Sequence, residues 1–247
     1  MTGTVGAQTH LGNLTVSGSD EPAAGERTAG SNITSLDDRF DTSAYLTPHS
    51  DIVAQLVHAH QTQAHNLMTL ANYQTRIALF EQAQANRASG RPEQEISAQT
   101  RKRIEEPAEQ LVRYLLFADE APLSDLVRGT SGFTEEFQAR GPRDRRGRSL
   151  RDFDLTTRLF KYPLSYLVYT DAFDALPDLA KQYVYQRLFD VLTSDGTTDE
   201  FWQLDAPTRR ALFEILLDTK AGLPEAWKTH AHRPAPATTS SRNATER

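Results

Sequence analysis

Apolar residues recur at helical spacing through most of the chain, between two polar ends. From Ser50 onward, Val53, Leu56, Val57, Ala64, Leu67, Met68 and Ala71 share one stripe at about 100° per residue. Ser50 is a good N-cap followed by Asp51, so the pattern predicts one long helix to about Asn86, stopped by "ASGRP". A second helix is expected from about Ser97 to Phe117, through Ile104, Ala108, Leu111, Val112 and Leu115, kinked or split at Pro107. Short helices are expected near Leu123–Val127 and Thr134–Gln138. Ser149 with Asp152 three residues on resembles a capping box and predicts a helix to about Phe160. Pro163 opens the next helix, and "LP" at 176–177 opens another over Asp178 to Leu192. Asp205 caps a last long helix through Leu212, Ile215 and Leu216, stopped by Gly222. Nothing shows sustained period-two alternation. The expected fold class is therefore all-α, an irregular bundle of one long and several shorter helices.

The ends differ from this pattern. Residues 1–35, rich in Gly, Ser, Thr and Ala, read as a flexible N-terminal segment, or as the remnant of an upstream domain whose last strand is "HLGNLTV". Residues 36–228 read as the helical domain and 229–247 as a disordered, low-complexity tail. Asn13, Asn32 and Asn243 begin N-x-Thr sequons. A chain of 247 residues with these ends leaves about 180 residues for folding, which suits one domain.

Composition narrows the function classes. A formal charge of -6 argues against general affinity for nucleic acid. The absence of cysteine removes disulfides, thiolate zinc sites, covalent c-type haem attachment and cysteine nucleophiles. No apolar run approaches the roughly 20 residues that cross a bilayer. The start has no basic segment followed by an apolar core, so it does not read as a signal peptide.

The candidate chemistry begins with "LVHAHQTQAHNLMTLANYQTR", Leu56 to Arg76. Helical phase places His60 in the middle of the apolar stripe and puts His58 and His65 on the polar face. Those two lie seven residues apart, about 10 Å along the axis, too far to share a metal without long side-chain reach. A buried imidazole must satisfy both nitrogens. His60 is thus expected to meet a carboxylate or carbonyl of a neighbouring helix, with a metal or haem ligand role and a proton-transfer role as alternatives. A di-metal site of the Glu-x-x-His kind is not supported, since Val57 sits three residues before His60. Glu105, Glu106 and Glu109 around Pro107 read as a solvated edge. No H-E-x-x-H, P-loop, Gly-rich fingerprint or G-x-S-x-G is present.

"ARGPRDRRGRSLRDFDLTTR" carries Arg140, Arg143, Arg145, Arg146, Arg148 and Arg151, interleaved with Asp144, Asp152 and Asp154. Internal ion pairs compete there with docking of a partner, for which Arg143, Arg145, Arg146 and Arg148 are the candidate interface, and with a small anion. No aromatic platform for single-stranded nucleic acid accompanies the patch. Tyr162, Tyr166, Tyr169 and Phe173 recur at i, i+4, i+7 and i+11, an aromatic face expected on one central helix.

The strings "NITSLDDRFDTSAYLTPHSDIVAQLVHAHQTQAHNL", "LVRYLLFADEAPL", "GPRDRRGRSLRDFDLTTRLFKYPLSYLVYTDAFDALP" and "EILLDTKAGLP" resemble the C-terminal helical region of large exported, cytochrome-c-associated bacterial proteins of unsettled function. The resemblance spans about residues 32–228. It implies an extracytoplasmic, periplasmic setting near haem-based redox proteins, and a chain that is a piece or split-off relative of a longer one. It carries no catalytic residue. The expected function is a non-catalytic helical interaction or scaffold module that packs on a protein partner or upstream domain, including a c-type cytochrome, with no cofactor of its own. The alternative is a small metal- or haem-dependent redox protein centred on His60.

Overall fold

The computed structural model describes residues 1–6, 32–194 and 199–231. The fold is all-α, with one long helix and several shorter ones. Helix α1, Ile52–Ser89, has 38 residues and is about 57 Å long. Its N-cap is Asp51 rather than Ser50, because the Asp51 carboxylate accepts from the free amides of Val53 and Ala54. Gly90 ends the helix at φ 70°, a left-handed cap that a glycine adopts without Cβ strain.

The chain then folds back into α2, Ala98–Leu115, capped by Ser97. Two polar side chains of α1 tie down the connection. Gln82 Oε1 accepts from Ser97 Oγ (2.7 Å) and Thr100 Oγ1 (2.5 Å), and Asn86 Nδ2 donates to the carbonyls of Pro92 (2.9 Å) and Glu95 (2.8 Å). Pro107 lies inside α2, buried, and α2 runs on through it without a break. After α3, Phe133–Ala139, and the four-residue α4, Asp171–Asp174, helix α5, Asp178–Thr193, packs on α2. Helix α6, Ala206–Thr219, packs on α5, and α7, Glu225–Ala231, closes over that pair.

Further expected features differ. Residues 1–6, read as part of a flexible segment, are packed. Strand β1, Thr4–Val5, pairs antiparallel with β2, Val127–Arg128, in the register Thr4↔Arg128 and Val5↔Val127. Thr2 is fully buried, its amide donating to Ser50 O (2.6 Å) and its carbonyl accepting from Ile52 (2.8 Å). That pairing holds Val127 extended, where a short helix over Leu123–Val127 is expected from the sequence. The proposed strand and linker within residues 7–31, the sequons at Asn13 and Asn243, and tail residues 232–247 lie outside the described residues; His230 and Ala231 belong to α7.

The helix expected over Ser149–Phe160 is an irregular strap. Its box bond forms, Ser149 N donating to Asp152 Oδ2 (3.0 Å), but Asp154 then takes the amides of Thr156 (2.7 Å) and Thr157 (2.6 Å), and Leu155 sits at φ 58°. Short acidic side chains here satisfy the backbone without a helix. The aromatic helix after Pro163 is likewise broken into a 3-10 turn, Tyr166–Tyr169, and α4. Ser165 caps the first by accepting from Leu167 N, and Thr170 caps the second by accepting from Phe173 N. Tyr166 and Phe173 are nevertheless buried, with Tyr162 and Tyr169 packed partly against the core.

Candidate functional site

Along α1 the inward positions are Val53, Val57, His60, Ala64, Met68, Ala71, Thr75 and Ala78, while His58 and His65 are exposed. His60 is 6% exposed. Its Nε2 lies 2.8 Å from Ser165 Oγ, so its partner is a hydroxyl at a turn rather than a carboxylate or carbonyl on a helix. The imidazole stacks on Tyr114 (centroids 5.3 Å, planes 10° apart) and Phe117 (4.7 Å, 17°) and meets the edge of Phe160. Burial lowers its pKa from 6.5 to about 4, because an imidazolium would lose its hydration there. The ring is neutral at neutral pH.

The hydrogen-bond pattern assigns the tautomer. Ser165 is fully buried and its hydroxyl proton has no other acceptor among the described residues, so it goes to His60 Nε2 and the ring proton sits on Nδ1. Nδ1 makes no hydrogen bond among the described residues. A serine and a histidine in contact invite comparison with a nucleophile and its base. Ser165 is fully buried, no carboxylate orients the imidazole among the described residues, and a pKa of about 4 makes a weak base at neutral pH. The pair holds the 3-10 turn against α1.

His60 also walls a cavity of about 530 Å³ between the C-terminal end of α2 and the first half of α1, lined by Leu56, Leu67, Tyr114, Phe117, Leu123 and Leu159 among others. Phe117 follows the C-cap Leu116, two residues past the end of α2, at φ 55°, where glycine is usual. Ala118 N reaches back to Arg113 O (3.0 Å) and completes the helix-end motif. A left-handed aromatic costs about 1–2 kcal/mol, offset here by its stacking on His60 and edge contact with Phe160. Charged groups at the mouth are paired. Arg113 grips both oxygens of Asp119 (3.0 Å each) and reaches Glu200 (2.8 Å). Glu120 accepts from Leu159 N (3.0 Å) and faces Arg158 at 3.5 Å; burial raises its pKa despite these partners.

The four candidate interface arginines each have a carboxylate of their own chain. Arg143 meets Asp152 (3.0 Å), Arg145 meets Asp218 (2.9 Å), Arg146 meets Glu214 (3.0 Å), and Arg148 bridges Asp144 (2.6 Å) and Glu214 (2.7 Å). The Asp144 side chain is fully buried. Burial would raise its pKa, but bonds from Arg148 and the Arg146 amide hold it below the ordinary carboxylate range. The loop thus staples itself to α6. Glu109 is no solvated edge either: it accepts from Tyr183 Oη (2.8 Å) and from Arg187 (2.9 Å to each oxygen), tying α2 to α5.

A feature absent from the sequence-based expectations lies on the outer face of α1. Leu70, Tyr73, Ile77 and Phe80 are 38, 63, 45 and 65% exposed and follow i, i+3, i+7, i+10 spacing. At about 100° per residue they lie opposite Ala64, Met68, Ala71 and Thr75. The spacing was available in the sequence, but the stronger inner stripe masks it.

Among the described residues no group of three His, Asp or Glu side chains is placed to hold a metal ion, and no helix is long and apolar enough to cross a membrane. The chain is a cysteine-free helical bundle, and among its described residues His60 walls an apolar pocket. No protein-family model, curated protein or solved structure matches the chain.

Replacing His60 by alanine strands Ser165 and enlarges the cavity, with an expected cost of about 2–4 kcal/mol in urea unfolding. His58→Ala and His65→Ala should each cost less than about 0.5 kcal/mol, as at other exposed positions. Between pH 6.5 and about 4 the unfolded chain takes a proton that folded His60 refuses, so stability falls as pH drops through that window. A His60→Gln variant should show a shallower fall. Equal costs at His58 and His60 would remove the imidazole from the core.

Proposed function

We propose that the chain is a non-catalytic helical module that docks a protein partner through the outer face of α1, as an accessory to an extracytoplasmic haem-based redox system. The observation that supports docking is the exposed row of Leu70, Tyr73, Ile77 and Phe80. Four large apolar side chains along about 15 Å of one helix form the kind of contiguous patch that marks an interaction site. Two are aromatic, the residue type that dominates interface energetics. The redox setting and the choice of a c-type cytochrome as partner rest on the resemblance of residues 32–228 alone.

The test is calorimetric titration of the chain with a purified small soluble c-type cytochrome, beside the variant Tyr73→Glu/Phe80→Glu. Both positions are exposed, so the variant should melt close to the parent. Binding weakened at least about tenfold in the variant is the expected result. No binding, or binding that ignores the substitutions, overturns the proposal. The second reading, a haem or metal protein centred on His60, is favoured by one fact: Nδ1 has no partner among the described residues. An absorption spectrum and metal analysis of the purified chain separate the two, since a haem band or stoichiometric metal would reverse their order.

A further inference from the structure

The cavity beside His60 is a separate feature from the outer face of α1, and its volume of about 530 Å³ lies in the range of small-molecule sites. We propose that it binds an uncharged, mostly apolar molecule carrying one hydrogen-bond acceptor, such as a carbonyl oxygen, which the Nδ1–H of His60 receives.

Three observations define that ligand. The walls are largely apolar and come from α1, the end of α2, and the segments around Leu123 and Leu159. The occupant therefore needs an apolar body. The most buried polar side chain of the lining is His60, 6% exposed, with Nε2 engaged by Ser165 and Nδ1 unpartnered among the described residues. Nδ1 is not one of the fully buried polar atoms, so the ring nitrogen left over from the Ser165 bond is open to a polar group of an occupant. Nearby charges are already paired, Arg113 with Asp119 and Glu200, and Glu120 with Arg158. A charged ligand would have to break one of those pairs on entry, whereas an uncharged one leaves them intact.

Phe117 adds a fourth mark. Its left-handed conformation is a strained choice for an aromatic residue, and it sets the ring both against the imidazole and into the cavity wall. Strain of this kind concentrates at functional sites. Here it fixes the plane of His60 and so the direction of its free N–H.

A matched pair of probes tests this. 2-Acetylnaphthalene presents a carbonyl, and 2-isopropenylnaphthalene has nearly the same shape without the acceptor. Titration followed by ¹H–¹⁵N NMR should show the ketone binding at least about tenfold more tightly, with the His60 ring nitrogens among the resonances that move. In His60→Leu the preference for the ketone should vanish. Should that variant fold poorly, Ala59→Trp at the exposed rim of the cavity leaves the imidazole in place and should abolish binding of both probes. Equal affinity for the two probes in the parent, no binding up to their solubility limit, an Nε2–H tautomer in the imidazole spectrum, or binding that survives Ala59→Trp would each overturn the proposal. None of these substitutions touches Tyr73 or Phe80, so failure here is distinguishable from failure of partner docking.

Discussion

Asp51→Ala is expected to lower the unfolding free energy by about 3–4 kcal/mol, far more than loss of an ordinary helix cap. One carboxylate oxygen takes Val53 N (2.8 Å) and Ala54 N (3.1 Å); the other takes Thr130 N (2.8 Å), Ser131 N (2.9 Å) and Ser131 Oγ (2.8 Å). Asp51 is 5% exposed, so truncation leaves several donors buried without an acceptor. A Cβ on Gly129 would collide with this carboxylate, which explains a glycine there. Burial alone would raise the Asp51 pKa, but the bonds from Ser131, Ala54 and Thr130 override it and hold the group below its ordinary value of 3.8. Its contribution is therefore present above that value and is lost as pH falls through the lower folded pKa. Urea unfolding at pH 7 measures the loss; a cost under about 1 kcal/mol would mean that the 129–131 loop is not anchored on α1.

Trp227→Ala should cost about 3–5 kcal/mol. The indole is 1% exposed, stacked on Phe213 (5.2 Å, planes 9° apart) and met edge-on by Tyr185 and Phe189. It brings α5 and α6 together beneath α7, and without it a seven-residue helix has little to hold it, because so short a helix is unstable alone. Trp202, 72% exposed, is the internal control: Trp202→Ala should change stability by less than about 0.5 kcal/mol. Tryptophan emission of the Trp202→Ala variant should be blue-shifted, reporting Trp227 in its apolar setting. Similar costs at the two positions would mean that α7 is not docked.

The parts of this fold that were legible in the sequence are those decided locally. The α1 stripe gives both the helix and the inward phase of His60, because burial of Val53, Val57, Ala64 and Met68 repeats at helical spacing. Ser97 and Asp205 cap α2 and α6 as their side-chain chemistry demands. What was hidden depended on partners distant in sequence or on competing local bonds. Val127 is extended because Val5 pairs with it. Asp154 diverts the backbone of the 149–160 segment, and Thr170 restarts a turn where the tyrosine spacing alone suggests continuity. For the site, the imidazole was legible but its partner and cavity were not. Ser165 meets His60 across 105 positions, and no spacing rule connects them. The left-handed Phe117 carries no sequence signal, since glycine or asparagine would be expected there.

The pairing of β1 with β2 has a consequence for the order in which the molecule assembles. Thr4 and Arg128 are separated by the whole of α1, α2 and their connection. Contacts between α1 and α2 are closer in sequence, so that helical hairpin closes at a smaller entropic cost and forms early. The strand pair, which spans the longer separation, is expected to lock after the hairpin, with β2 lying against α1. Residues 1–6 thus act as a late latch, and their amides should gain hydrogen-exchange protection after those of α1 and α2 during refolding.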